Sequence, residues 1–333
     1  MLEYLKNWIV SRKWSTPPVS GYYFFTFPPI ASYQNKLVSG DPEVDCYDWS
    51  IQTYFKDHMP FENCLSLVCG HGHVERLLAE KGVAKHLLGL DISEGAVNDA
   101  LRLAREAGFD NIEYKVADVN KIQLEPESYD LIVAVGALHH LSELEHVIGQ
   151  IHKALRPGGF LMTNEFVGPT YNQFGPRQVE LINALVHLIP HDRRDRFEYT
   201  YLPGWLWFLR FKGAIHYVTP LRKLFRSINP FRDNRFGKVY DYDRKAYWLA
   251  TDPSESVRSA EVIPILKQHF SDIDIRYYNG SLLMQGLDQT YFATYKPDDP
   301  DHKKLNDLLC TIEKTMVDIN ELQPDCAHMI AWK

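Results

Sequence analysis

Two glycines, three carboxylates and a pair of adjacent histidines stand at the ends of apolar runs in this 333-residue chain. The stretch "LSLVCGHGHVERLLAEKG", residues 65–82, carries an apolar segment into Gly70 and Gly72 and then into a helix-like pattern. Glycines at such a junction let a ligand approach the main chain closely. The helix start that follows offers unpaired N–H groups to anything anionic. The next apolar run, "HLLGLDIS", ends at Asp91, 21 residues past Gly70. At that spacing a carboxylate can accept both ribose hydroxyls of an adenosine ligand, and a charge-assisted bond of this kind contributes roughly 1.5–3 kcal/mol. A third run, "IEYKVAD", ends at Asp118, placed to accept a bond from the exocyclic amine of adenine. A dinucleotide fingerprint needs a third glycine where Glu75 stands, and a carboxylate there would face a pyrophosphate, so a nicotinamide or flavin cofactor is disfavoured.

His139 and His140 follow the apolar run "YDLIVAVGAL". An ordinary histidine pKa of about 6.5 suits a general base near neutral pH. Neighbouring residues just past a strand need not point the same way, so at most one is expected to face a substrate; a packing or helix-start histidine is the plainer alternative. Glu165 closes the run "FLMTNEF" and has three roles open to it: base, orienter of a histidine, or partner of a cationic acceptor. An ion pair with Arg177 or Arg193 is its plainer alternative. Tyr171, Asn172 and Arg177 open the segment expected to roof the site, and Arg177 suits an anionic substrate group. No histidines show metal-ligand spacing such as HExxH, so no metal is expected. The five cysteines are scattered without a CxxC pair, which points to neither a zinc site nor a disulfide framework.

Strands and helices must alternate to bring these residues together. Between Cys64 and Glu165, "CLSLVC", "HLLGLDIS", "IEYKVAD", "YDLIVAVGAL" and "FLMTNEF" read as strands. "HVERLLAEKG", "EGAVNDALRLAREAG" and "ELEHVIGQIHKALRPGG" read as helices between them, the last closed by Pro157-Gly158-Gly159. Strands spaced by such helices form a parallel, doubly wound α/β sheet. Ligands bind outside the carboxyl ends of such strands, where the strand order reverses. "RQVELINALVHLIP", "SAEVIPILKQHF" and "KKLNDLLCTIEKTMVDINEL" are further helices, the last with Leu305, Leu308, Leu309, Ile312, Met316 and Ile319 on one face. "DIDIRYY" and "CAHMIAWK" complete the sheet. The expected organisation is an N-terminal cap over 1–60, a ligand-binding core over 61–166, an insertion forming a lid over 167–256, and completion of the sheet with a helical insertion over 257–333.

"LSLVCGHG", "LLGLDIS", "VADVN", "YDLIVAVGALHHL" and "LRPGGFLMTNEF" together resemble the core of class I S-adenosylmethionine-dependent methyltransferases, and "CAHMIAWK" resembles that fold's final antiparallel strand. "NEFVGP", "LINALVHLIP", "DPSESVRSAEVIPIL" and "GSLLMQGL" resemble a bacterial subgroup associated with polysaccharide or secondary-metabolite pathways. The likeness covers about two thirds of the chain and leaves out 200–248. It implies S-adenosylmethionine as cofactor, with the turn Cys69-Gly70-His71-Gly72 lining its amino-acid end. Asp91 and Ile92 would hold the ribose, Asp118 and Val119 the adenine, and Gly136 would lie beneath the methionine moiety. It implies methyl transfer to a hydroxyl, less readily an amine, of a small molecule or glycan intermediate. The family carries an acid where Ser66 stands and a glycine where Val68 stands; a valine is strained if that position needs a positive φ. These two departures keep open a non-catalytic scaffold that retains the fold.

Charge and composition narrow the partners. The net charge of −7 argues against a nucleic-acid-binding protein as a whole. Residues 201–245 invert that sign, with ten Lys/Arg, three Asp/Glu and eleven aromatics. The segment reads either as a buried lid or contact between copies of the chain, or as a surface for an acceptor or an anionic membrane. An RNA methyltransferase is a third reading, resting on this patch. The aromatic stretch "YYFFTFPPIASY", residues 22–33, reads as a cover over the cofactor or a packing strap. No apolar window has the roughly 18 residues that span a bilayer, and the start lacks a signal-peptide run, so a soluble cytoplasmic protein is expected.

Overall fold

The computed structural model describes residues 2–15, 24–190, 192–193, 245, 248–249, 252–287 and 289–333. The basic aromatic segment 201–245 therefore lies outside the described residues, Lys245 excepted. Seven strands form one sheet: β1 (Phe61–Leu67), β2 (Ala84–Asp91), β3 (Ile112–Val116), β4 (Tyr129–Val135), β5 (Leu155–Phe166), β6 (Asp272–Tyr277) and β7 (Cys326–Trp332). Their order is β3-β2-β1-β4-β5-β7-β6. β1 to β5 pair in parallel, and β7 runs antiparallel to both β5 and β6. The order reverses between β1 and β4, which opens a crevice at their carboxyl ends.

Alternation along the strands builds two cores. Leu65, Leu67, Ile132, Ala134 and Leu161 face α6 (Leu144–Ala154) and a later helix, α8 (Val262–His269). Cys64, Leu131, Val133 and Met162 face the other way, onto α4 (His73–Glu80), α5 (Glu94–Glu106) and the side chains of Trp49 and Phe55. Each leucine or isoleucine so buried stabilises by about 1.5–3 kcal/mol. The sheet is thus covered on both faces, which is why its strands read as apolar runs.

A third cluster joins α2 (Pro28–Val38), α7 (Pro176–Leu188) and the helix Pro300–Asp318. Phe24, Phe27 and Ile30 pack there, and the Phe27 ring meets Tyr291, Phe292 and Tyr295. The described part of the 22–33 stretch is therefore a packing strap. On Pro300–Asp318 the buried face runs through His302, Asn306, Leu309 and Glu313, with Leu305, Ile312 and Met316 beside it. Leu308 is 49% exposed, and Ile319 is 61% exposed beyond the helix end, which corrects the expected stripe.

Two element boundaries differ from the sequence reading for stated reasons. β1 stops at Leu67 rather than Cys69 because Val68 turns into the left-handed region, φ 55°. α6 stops at Ala154, and Leu155 already pairs with Tyr129 in the sheet. Pro157 disfavours a helical residue before it, so Arg156 is drawn into extended backbone.

Near the N-terminus, α1 (Leu2–Trp14) lies against the start of α5. The Ser93 hydroxyl donates to the Ser11 carbonyl at 3.0 Å, and the Ser15 and Ser93 hydroxyls are 3.1 Å apart. No helix among the described residues is long and apolar enough to cross a membrane.

Candidate active site

The glycine turn is held open by left-handed backbone. Val68, Gly70 and Gly72 have φ of 55°, 52° and 72°. A Cβ added to Gly70 would meet open space, whereas one on Gly72 would lie 2.4 Å from the Tyr114 hydroxyl oxygen. Gly70 thus leaves room at the crevice, and Gly72 is required by packing. The Gly70 N–H donates to Asp91 Oδ2 at 2.9 Å, and the Ser93 N–H donates to Asp91 Oδ1 at 2.8 Å. Each of those oxygens keeps a further lone pair. Burial raises the Asp91 carboxyl above its ordinary value despite these donors. Ser93 caps α5, through the Ala96 N–H. Asp118 caps a short 3-10 turn, accepting the Asn120 N–H at 3.1 Å. Its other oxygen receives the Asn7 amide of α1 at 3.2 Å and pairs with Lys121.

The rest of the expected cofactor set sits around this turn. Cys69, Ile92 and His71 are half-buried and Val119 is buried. The His71 Nδ1–H donates to Asp99 of α5 at 2.9 Å, tying the turn to that helix. Gly136, past β4, has φ 59°, open space beside it and its N–H on the Asn164 carbonyl at 2.8 Å. Glu75 is turned inward rather than toward a ligand's phosphates: it is fully buried and lies next to Ser66, though no hydrogen bond of ordinary geometry closes. A carboxyl thus reaches the inner face of β1 from α4, at the position where Ser66 itself offers none.

His139 and Glu165 meet in the interior. The His139 Nδ1–H donates to Glu165 Oε2 at 2.6 Å. Glu165 Oε1 accepts the N–H groups of Ala137 and Leu138, both at 2.9 Å, and the Thr163 hydroxyl at 3.2 Å. The His139 N–H reaches Oε2 at 3.3 Å. Glu165 therefore orients a histidine and fixes the 137–139 turn, and its partners are neither Arg177 nor Arg193. Burial works against a charged His139, but the Glu165 carboxylate outweighs it, and His139 titrates above its ordinary value. Its Nε2 has no hydrogen-bonding partner among the described residues.

The His140 ring lies 4.2 Å from that of His139, centroid to centroid, and meets the edge of Trp14 from α1. Burial first, then His139, pushes His140 down to about 4. The structure therefore brings both histidines to one place, one raised and one lowered, the arrangement that separates acid from base. His140, Asp252 and Glu255 each bring a potential metal ligand within 4.8 Å of one another, the one such trio among the described residues. The cation already on Asp252 is Lys13 of α1, at 2.9 Å. Nothing in their spacing from His140 marks Asp252 and Ser254 as neighbours; the polar run "DPSES" is the one trace they leave in the sequence.

The expected substrate residues are placed less uniformly. Tyr171 and Asn172 both have φ 52° and are tied to Ser256, through the Tyr171 N–H at 2.7 Å and the Asn172 side chain at 3.2 Å. They share the 252–256 segment with His140. Arg177 is exposed and spends its guanidinium on Glu180 and Glu321.

Residues 61–207 match the family model described as a methyltransferase domain. Over these residues the chain is similar to the class I S-adenosylmethionine-dependent methyltransferases. Sterol methyltransferase-like 2 of Botryococcus braunii is 33% identical over 172 residues, 50% of this chain and 41% of that protein. Phosphoethanolamine N-methyltransferase 2 of Caenorhabditis elegans is 30% identical over 133 residues, 35% of this chain and 30% of that one. The 27-O-demethylrifamycin SV methyltransferase of Amycolatopsis mediterranei is 31% identical over 107 residues, 32% and 39% of the two chains. The matched region spans less than half the length of each of these relatives.

Proposed function

We propose that the chain transfers a methyl group from S-adenosylmethionine to a hydroxyl, or less readily an amine, of a small-molecule natural product or glycan intermediate. The bound cofactor supplies an activated methyl on a sulfonium. The turn 69–72 and Gly136 would hold its amino-acid end by main-chain groups, Asp91 and Ile92 its ribose, and Asp118 and Val119 its adenine. The open space beside Gly70 and Gly136, with two carboxylates flanking it, fits that ligand.

The observation that carries the acceptor side is the His139–Glu165 pair. Because the Nδ1–H donates to Glu165, a neutral His139 presents Nε2 as a base, the form that accepts a proton from a hydroxyl. Glu165 acts through the histidine as a positioning residue. Tyr171 and Asn172 would help wall the acceptor pocket; Arg177, already paired twice, is the weakest of the expected substrate residues. The names of the relatives, which include a sterol, phosphoethanolamine and a rifamycin, support a small-molecule acceptor. All five cysteines are unpaired, which suits a reducing cytoplasm.

Titration calorimetry with S-adenosylhomocysteine tests the reading. Binding that disappears in Asp91→Ala supports it. No heat with the unsubstituted chain would leave the fold as a non-catalytic scaffold.

A further inference from the structure

His140 sits at the end of a chain of contacts that begins on the N-terminal helix. Lys13 pairs with Asp252 Oδ2 at 2.9 Å, and its ammonium lies over the rings of Trp14 and Trp248, 5.2 Å from each centroid. Asp252 is fully buried, and its Oδ1 accepts the Ser254 hydroxyl at 2.6 Å and the Ser254 N–H at 3.2 Å. His140 Nδ1 lies 3.2 Å from the same hydroxyl oxygen. Counting protons decides the rest. A carboxylate only accepts, so the single hydroxyl proton of Ser254 goes to Asp252. The serine oxygen can then only accept from His140, whose Nδ1 must carry the proton. Nε2 is left as a lone pair with no partner among the described residues.

We infer that Asp252 and Ser254 are positioning residues that lock His140 into its Nδ1–H tautomer and present Nε2 to the acceptor side of the crevice. Lys13 supplies the counter-charge that keeps Asp252 an acceptor. The inference deepens the methyl-transfer reading and rests on it for the role of the crevice, but not for the tautomer itself. Both histidines then carry their proton on Nδ1, His139 toward Glu165 and His140 toward Ser254. The charged and titratable groups around His140 are His139, Glu255, Asp252 and Glu165. None of them donates to Nδ1.

The test is the ring 15N spectrum of the full chain near neutral pH, with His140 assigned by loss of its signals in His140→Gln. The unsubstituted protein should show a protonated Nδ1 and an unprotonated Nε2 at His140. Asp252→Ala frees the serine proton to turn toward Nδ1, so the pattern should invert to Nε2–H. Ser254→Ala should lose the single tautomer, and Ser254→Thr should restore it. Affinity for S-adenosylhomocysteine and the melting temperature verify that each variant folds. An unchanged ring pattern in folded Ser254→Ala, or an Nε2–H tautomer in the unsubstituted protein, overturns the inference. Loss of cofactor affinity in every protein would instead count against the methyltransferase reading, and the ring pattern would still decide this one.

Discussion

The Nδ1–H of His139 donates to Glu165 Oε2 across 2.6 Å, with the carboxylate fully shielded from solvent and the imidazole nearly so. Glu165→Gln would keep the shape but set an amide group against main-chain N–H donors. Breaking a buried charged pair costs about 3–5 kcal/mol. In the native chain His139 titrates above 6.5, its ordinary value. The stability it gains from Glu165 is therefore full below pH 6.5 and is lost as pH rises through the raised value. In the variant burial is opposed only by the weaker pull of Glu255 and Asp252, and His139 should titrate lower than in the native chain. An NMR pH titration reads this directly, and equal titration points in the two proteins would remove Glu165 from the histidine's control.

Val68 holds φ 55° just where β1 ends, half-buried against the core. A left-handed L-residue costs roughly 1–2 kcal/mol, and glycine is free of that cost. Elsewhere alanine is the more stabilising of the two small residues. Here the order should reverse: Val68→Gly should be more stable than Val68→Ala by about 1 kcal/mol. Urea unfolding of the two variants decides it, and a more stable alanine variant would mean the turn relaxes without strain.

Much of the fold was legible because a sheet covered on both faces writes its strands as apolar runs, and all seven read as strands. Gly70, Asp91 and Asp118 were legible because each ends a strand. Glu165 was legible only as one of three roles, since three of its five donors are main-chain N–H groups of a turn folded around it. The relay from Lys13 to His140 was not legible: Ser254 lies 114 residues from His140 and Lys13 lies 239 from Asp252. No periodicity spans such a gap. The inward turn of Glu75 was hidden for a local reason, because the third residue of a helix can face either the ligand or the sheet.

Glu75 is a buried acid without a closed hydrogen bond, and burial raises it from 4.5 to about 7. The unfolded chain releases this proton near the ordinary value, so the folded chain holds one more proton between the two values. Stability must then fall as pH rises from 4.5 to about 7. At about 1.4 kcal/mol per unit the loss is roughly 3 kcal/mol. Glu75→Gln removes it, so the variant should gain on the native chain across that window and match it at the acid end. Asp325 is raised in the same way and is present in both proteins, so the difference belongs to Glu75. Parallel pH dependences for the two chains would show that the carboxyl is ionised and partnered at neutral pH.

Gly95 of α5 lies against Ser15, just past the end of α1. A Cβ there would lie 2.7 Å from the Ser15 Cβ and 3.0 Å from its Cα, so backbone as well as side chain would have to move. Gly95→Ala should therefore lift the end of α1 and break the contacts of Ser11 and Ser15 with Ser93, while α5 itself keeps its Ser93 cap. Trypsin should then cut after Arg12 and Lys13 several-fold faster than in the native chain, because cleavage follows the population of the opened segment. The same helix places Asn7 on Asp118 and Lys13 on Asp252, so its release should also speed dissociation of S-adenosylhomocysteine if α1 closes over the bound cofactor. Faster proteolysis with an unchanged dissociation rate would confine α1 to packing. Unchanged proteolysis would mean the helix accommodates the methyl group and is not held by this contact.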